Sequence, residues 1–122
     1  MDSGVMVVLT RAFEGRREEL WDWYSTRHIV DLLDVPGFKR ARLWSLGALG
    51  SGGEAAHHCM ALYDLEAEDL TTVLQEAGRR MGGEQMPKSP ALDSSKTVTF
   101  LARTPVEMTA AEAAALRAAA KS

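Results

Sequence analysis

Apolar residues along the chain change period several times, and each change marks an element. Residues Val5 to Arg11 (VMVVLTR) form a short β-branched apolar run, too short for a helix, which predicts a buried strand. From Arg16 to Leu33 the period becomes helical. Leu20, Trp21, Tyr24, His28 and Leu32 fall within roughly 120° of one another, the width of one buried face. Arg16, Glu18, Glu19 and Asp22 lie elsewhere on the wheel and suit water. Pro36-Gly37 ends the helix, because proline disfavours helix in the residue before it and glycine permits the turn. Phe38 to Leu46 then alternates, with Phe38, Arg40, Arg42, Trp44 and Leu46 on one side and Lys39, Ala41, Leu43 and Ser45 on the other. Gly47 to Gly53 is a glycine-rich connector. It lacks the Lys-Ser/Thr of a phosphate loop and no helix follows it, so a hairpin connection is expected. His57 to Leu65 reads as a third strand. Glu68 to Arg80 reads as a second helix with Leu70, Val73, Leu74 and Ala77 on one side, stopped by Gly82-Gly83. Lys96 to Arg103 reads as a fourth strand. Thr109 and Glu112 have the spacing of a capping box before an alanine-rich stretch that predicts a terminal helix.

The resulting order, β-α-β-β-α-β, is the ferredoxin-like split arrangement of the α+β class. It has one four-stranded antiparallel sheet, two helices on one face and here an extra C-terminal helix. The expected division is an α+β domain over 1–104 and a helical tail over 105–122. Both parities of the strands are apolar, as Val7 and Leu9 beside Met6 and Val8 show, so the second sheet face also needs cover. No further helix inside the domain supplies it. A homodimer with sheets packed face to face is the simplest solution, and the tail helix is the competing cover.

Composition narrows the function classes. The 122 residues carry 14 Lys plus Arg against 17 Asp plus Glu, a net charge of −3, which lacks the basic excess of nucleic-acid binding. The one cysteine excludes an intramolecular disulfide framework and any multi-cysteine zinc site. With an N-terminus that has no basic, signal-like region, the lone thiol leads to an expected cytoplasmic location. No stretch approaches the roughly 20 apolar residues of a membrane span. No dinucleotide, phosphate or pyridoxal motif is present, so no cofactor is expected.

Three histidines are the obvious carriers of acid–base chemistry near neutral pH. His28 shares a helix face with Trp21 and Tyr24, and Tyr24 lies one turn away, within contact. A histidine there suits general acid–base work, with Tyr24 donating to a developing enolate or phenolate oxygen. The bland alternative is a histidine that merely bonds Tyr24 or helix carbonyls. Arg40, Arg42 and Trp44 share a strand parity, and arginine beside an aromatic wall suits an aromatic carboxylate or phenolate. Ordinary ion pairs with acidic residues are the alternative. Tyr63 and His58 complete the expected substrate contacts. His57 and His58 are adjacent on a strand and point to opposite faces, and neither fits a metal motif, so no metal is expected. Cys59 reads as a small buried hydrophobe, and Asp31 as the ion-pair partner of Arg27.

The segment Trp23-Tyr24-Ser25-Thr26-Arg27-His28-Ile29-Val30-Asp31, followed by Val35-Pro36-Gly37-Phe38-Lys39-Arg40-Ala41-Arg42-Leu43-Trp44, resembles the signature of EthD-like proteins of the dimeric α+β barrel superfamily. Cys59-Met60-Ala61-Leu62-Tyr63-Asp64-Leu65 is similar to the third strand of that family. The likeness spans most of residues 5 to 103. It implies the same fold, a dimer, and a histidine at the position of His28. The wider superfamily includes polyketide cyclases, lactone isomerases, haem-degrading monooxygenases and stress-responsive dimers, so the residues must decide the chemistry. The first expectation is a cofactor-independent lyase, isomerase or cyclase using His28 on a small aromatic or polyketide-like substrate. The alternative is a non-catalytic dimer that binds a small hydrophobic molecule for an oxidative pathway. A haem-handling monooxygenase fits less well, because such relatives place their histidine on the second helix and residues 68–80 hold none.

Overall fold

The two most apolar strands take the middle of the sheet. In the computed structural model, which describes residues 1–50 and 53–121, the strand order is β2-β3-β1-β4 and every pairing is antiparallel. The strands are β1 (Asp2–Thr10), β2 (Phe38–Ser45), β3 (Cys59–Ala67) and β4 (Val98–Ala102). Ser51 and Gly52 of the glycine-rich connector, and Ser122, lie outside the described residues. Helices α1 (Arg17–Trp23), α2 (Ile29–Leu33) and α3 (Leu70–Arg80) belong to the β-α-β-β-α-β order, and α4 (Ala110–Lys121) follows β4. This is the α+β ferredoxin-like fold.

Side-chain alternation splits the sheet into two different surfaces. On the helix side, Met6, Val8 and Thr10 of β1 and Cys59, Ala61, Tyr63 and Leu65 of β3 are buried. Helix α3 packs there through Leu70, Val73 and Ala77, and Asp69 caps it by accepting the Thr71 N–H at 3.0 Å. On the opposite side, the register lines up Arg42, Leu62, Val7 and Phe100 in one row and Trp44, Met60, Leu9 and Val98 in the next. Phe100 is 49% exposed, and Trp44 and Val98 are each 41% exposed.

Two local features depart from the sequence reading. Phe38 does not share a side with Arg40. The register slips between them, so Phe38 opposes Leu65 and is buried, while Arg40 opposes Asp64 on the other face. The helix expected over residues 16–33 is also not continuous. A π-helical turn, Tyr24–His28, separates α1 from α2, and the Ile29 N–H bonds the Tyr24 carbonyl. One extra residue in the turn leaves carbonyls without their usual i+4 donors. The hydroxyls of Ser25 and Thr26 reach back four residues to the Trp21 and Asp22 carbonyls.

After α2 the chain reverses through Val35-Pro36-Gly37-Phe38, with the Phe38 N–H on the Val35 carbonyl at 3.0 Å. Gly37 has φ 104°, as the third position of a type II turn requires. A β-carbon there would also sit 2.5 Å from Val73 of α3. The Pro-Gly-Phe sequence therefore fixes the turn and lets α3 close on it. Helix α4 begins with the Thr109 hydroxyl accepting the Glu112 N–H at 3.1 Å, and it buries no residue. Among the described residues no helix is long and apolar enough to cross a membrane.

Replacing Gly37 by alanine forces both a disfavoured backbone and a clash with Val73. A loss of about 2 kcal/mol or more is expected, seen as a lower midpoint in thermal or urea unfolding. An unchanged midpoint would show that the turn relaxes freely.

Candidate functional site

A cavity of about 470 Å³ lies between the helix side of β1 and β4 and the helices α1, α2 and α3. Its walls are mostly apolar, with Met6, Val8, Leu32 and Leu74 among them. Three rings from the π-helical turn and its flank, Trp23, Tyr24 and His28, also face it.

The π turn explains why these rings meet. In an α-helix, residues five apart lie about 140° around the axis from one another. Widening the turn to i→i+5 bonding brings them onto one side. Trp23 and His28 are stacked, with ring centroids 4.4 Å apart and planes 19° from parallel. Tyr24 stands edge-on to the imidazole at 5.0 Å and 84°. The Trp23 indole N–H donates to the Pro87 carbonyl at 3.2 Å, which fixes the other side of the stack.

His28 is 5% exposed, and its ring makes no hydrogen bond among the described residues; Nδ1 is fully buried without a partner. Burial pushes its pKa down from 6.5 to about 4, and the charge of Asp31 opposes that only in part. Arg27 already holds the Asp31 carboxylate at 2.8 Å. The imidazole is therefore neutral at pH 7, with one nitrogen able to accept a proton. Tyr24 is raised to about 12 by burial, so its hydroxyl stays protonated. The Tyr63 hydroxyl donates to the Tyr24 oxygen at 3.5 Å, leaving the Tyr24 proton for another acceptor. Thr10 adds a second buried oxygen to the cavity wall, with the Cys59 thiol as a polar neighbour. Its cross-strand neighbour is Cys59, whose thiol is pushed up by burial and suits the expected inert role.

The structure gathers only part of the predicted residue set. His28 and Tyr24 line the cavity, and Tyr63 lies behind Tyr24. Trp21 does not join them: it lines a shallow surface depression with Arg17 and Ser45, and Trp23 takes its expected place because the π turn shifts the helix face. Arg42 and Trp44 are on the opposite side of the sheet, where Arg42 lies 3.8 Å from Asp64 and over the Trp44 ring. Arg40 is on that side too, in a separate depression with Asp64 and Arg103. None of these three reaches His28. His58 is not a ligand contact either. Its Nδ1 accepts the Ala12 N–H at 3.1 Å, so Nε2 carries the proton and donates to Glu54 at 2.6 Å. His58 thereby fastens the β2–β3 connector to the β1–α1 loop. Thr10, Trp23 and Lys88 are the cavity residues that sequence reasoning missed. The signal for Trp23 was Ser25-Thr26, two back-bonding hydroxyls in mid-helix; no sequence pattern marks the loop position of Lys88. Among the described residues no three His, Cys, Asp or Glu side chains come together as a metal site would need.

No protein-family model and no curated protein matches the sequence. Solved structures do match in shape. A candidate monooxygenase from Shewanella loihica PV-4 has a TM-score of 0.58 at 12% identity, covering 86% of this chain and 96% of that one. An EthD-family protein from Bacillus halodurans C-125 has a TM-score of 0.54 at 16% identity, covering 84% and 99%. A dimeric ferredoxin-like protein of unknown function from Thermobifida fusca YX has a TM-score of 0.53 at 15% identity, covering 81% and 88%. The chain shares the ferredoxin-like fold of the EthD-family protein and of the dimeric ferredoxin-like protein. At these identities the EthD-like likeness is one of architecture, and activity must be argued from the cavity.

The depressed pKa of His28 has a consequence for stability. The unfolded chain takes up a proton near pH 6.5, whereas the folded chain resists until about pH 4. Stability is therefore full above pH 6.5 and lost as pH falls through that window, by up to about 3 kcal/mol. Urea melts between pH 7 and 4 should show this loss, and His28→Gln should remove most of it. An equal slope in both proteins would show that His28 is not the group responsible.

Proposed function

We propose that the protein is a cofactor-independent acid–base enzyme, a lyase, isomerase or cyclase, acting on a small aromatic or polyketide-like molecule held in the His28 cavity. The observation that carries this reading is the buried imidazole itself. It lines a cavity of ligand size and makes no hydrogen bond among the described residues. A histidine kept for packing would have its nitrogens satisfied, as those of His58 are, because each unpaired buried polar atom costs about 1–3 kcal/mol.

The roles follow from the protonation states. Neutral His28 takes a proton from an acidic C–H or O–H of the substrate. Tyr24 donates a hydrogen bond to the oxygen on which negative charge develops, and Tyr63 positions Tyr24. The imidazolium that forms lies against the face of Trp23 and within the field of Asp31, both of which favour it. It then returns the proton to carbon or to a leaving group.

A screen of small aromatic and polyketide-like carbonyl compounds tests the reading. His28→Ala should lower turnover by about 10²–10⁴-fold, and Tyr24→Phe by a smaller factor. For the free enzyme, kcat/KM should fall only as pH drops through about 4, since the base must be unprotonated. Undiminished turnover in His28→Ala overturns the assignment. Tight binding without product from any compound would favour the non-catalytic carrier instead.

The molecule is further inferred to work as a homodimer through the open sheet face. That face presents Phe100, Val98 and Trp44 to solvent beside Leu62, Val7 and Leu9. So many exposed apolar side chains on one face mark an interface. Phe100→Glu should convert a dimer to a monomer in sedimentation, with helix content retained. A monomeric wild-type protein at micromolar concentration would refute it.

A further inference from the structure

We propose that Lys88 selects an anionic ligand: the molecule taken by the His28 cavity carries one carboxylate or equivalent oxyanion on a small aromatic body. This rests on the reading of that cavity as the substrate site. Among its described lining residues Lys88 is the one with a fixed charge, since His28 is neutral at pH 7. Among the described residues its ammonium has no carboxylate within ion-pair distance. None of the chain's other lysines has such a partner among the described residues either, so Lys88 is set apart by its place at the cavity and not by being unpaired.

The backbone that carries Lys88 is held firmly although it forms no helix or strand. Met86 and Ala91 are fully buried, and Ser89 nearly so. The Pro87 carbonyl accepts the Trp23 indole N–H at 3.2 Å, and the Pro90 carbonyl accepts from Arg16 at 3.0 Å. The Ala91 carbonyl accepts the Phe13 N–H at 2.9 Å. The Lys88 stem runs past Gly82, whose φ of 83° and missing side chain leave space beside it. Lys88 itself is exposed, so the loop fixes where its stem leaves the backbone and places the cation at the solvent-facing rim of the cavity. The same loop is latched to Trp23, the ring stacked on His28, so the cation and the imidazole are positioned by one contact network.

The cavity thus offers a charged end and a neutral polar end across apolar walls. An oxyanion would pair with Lys88. A hydroxyl or carbonyl on the ring would meet the unpaired His28 nitrogen, with the Thr10 hydroxyl beside it. A neutral hydrocarbon would leave the buried His28 nitrogen unsatisfied and Lys88 without a partner other than water, and a dianion would bring a second charge against apolar walls.

Salicylate and its uncharged amide, salicylamide, are matched probes of this idea. Both have one ring and one hydroxyl, and they differ in charge. Binding to the full chain is read by calorimetry or by Trp23 fluorescence. Salicylate should bind about tenfold or more tightly than salicylamide, and its affinity should weaken as salt is raised. Lys88→Met should erase the preference, while Lys88→Arg should keep it. Equal affinities in the wild type, an unchanged preference in Lys88→Met, or no binding of either probe overturns the proposal. His28→Gln separates it from the catalytic reading. If turnover is absent but the charge preference persists in the wild type and in His28→Gln, the catalytic role alone fails. Turnover of neutral substrates without charge preference defeats the role of Lys88 and leaves His28 standing.

Discussion

The stack of Trp23 on His28 is the contact on which the rest of the site depends. It exists because one helical turn holds an extra residue. Without that turn the two side chains would lie on different sides of the helix, and the cavity would lose either its imidazole or its indole wall. The cost of the irregular turn is offset locally by the Ser25 and Thr26 hydroxyls, which take up the displaced carbonyls. The benefit is spread more widely. Trp23 reaches Pro87, Pro87 precedes Lys88, and His28 is buried at the cavity wall. A single backbone irregularity thus sets the position of three functional groups.

The fold was legible in the sequence because it rests on periodicity, which each segment carries by itself. The short apolar runs Val5–Leu9 and Cys59–Leu65, and helical spacing in Leu70–Ala77, each specify one element, and the order of elements leaves few topologies. The candidate site was legible only where it lay on those regular elements. Tyr24 and His28 came from the wheel. The wheel puts Trp21 and not Trp23 on the His28 face because it assumes a constant 100° per residue through a turn that does not keep it. Arg40, Arg42 and Trp44 were grouped correctly by parity, but parity does not say which face the helices cover. Lys88 could not be read at all, since its place depends on hydrogen bonds between parts of the chain more than sixty residues apart.

The two histidines illustrate how partnering separates structure from chemistry. His58 and His28 are almost equally buried. His58 has a donor for one nitrogen and an acceptor for the other, so its desolvation is compensated and it ties two loops together. His28 has aromatic neighbours and a distant carboxylate, none of which satisfies a ring nitrogen. A ligand that supplied those bonds would recover the free energy that the folded chain forgoes, and would raise the pKa of His28 if it brought negative charge. An anion held by Lys88 would therefore strengthen the base at the moment it is needed.

The sheet couples this site to the opposite surface. Strand β4 is short, lies at an edge and is bonded only to β1. Its alternate residues serve different surfaces: Thr99 lines the cavity, while Val98 and Phe100 face outward. Five residues with one strand partner make a weakly held wall, the kind of edge that gains order when its exposed face is covered. Covering Phe100 by a second copy would stiffen the strand that carries Thr99. The outer face then contributes to the cavity without touching it, because both are made from the same backbone.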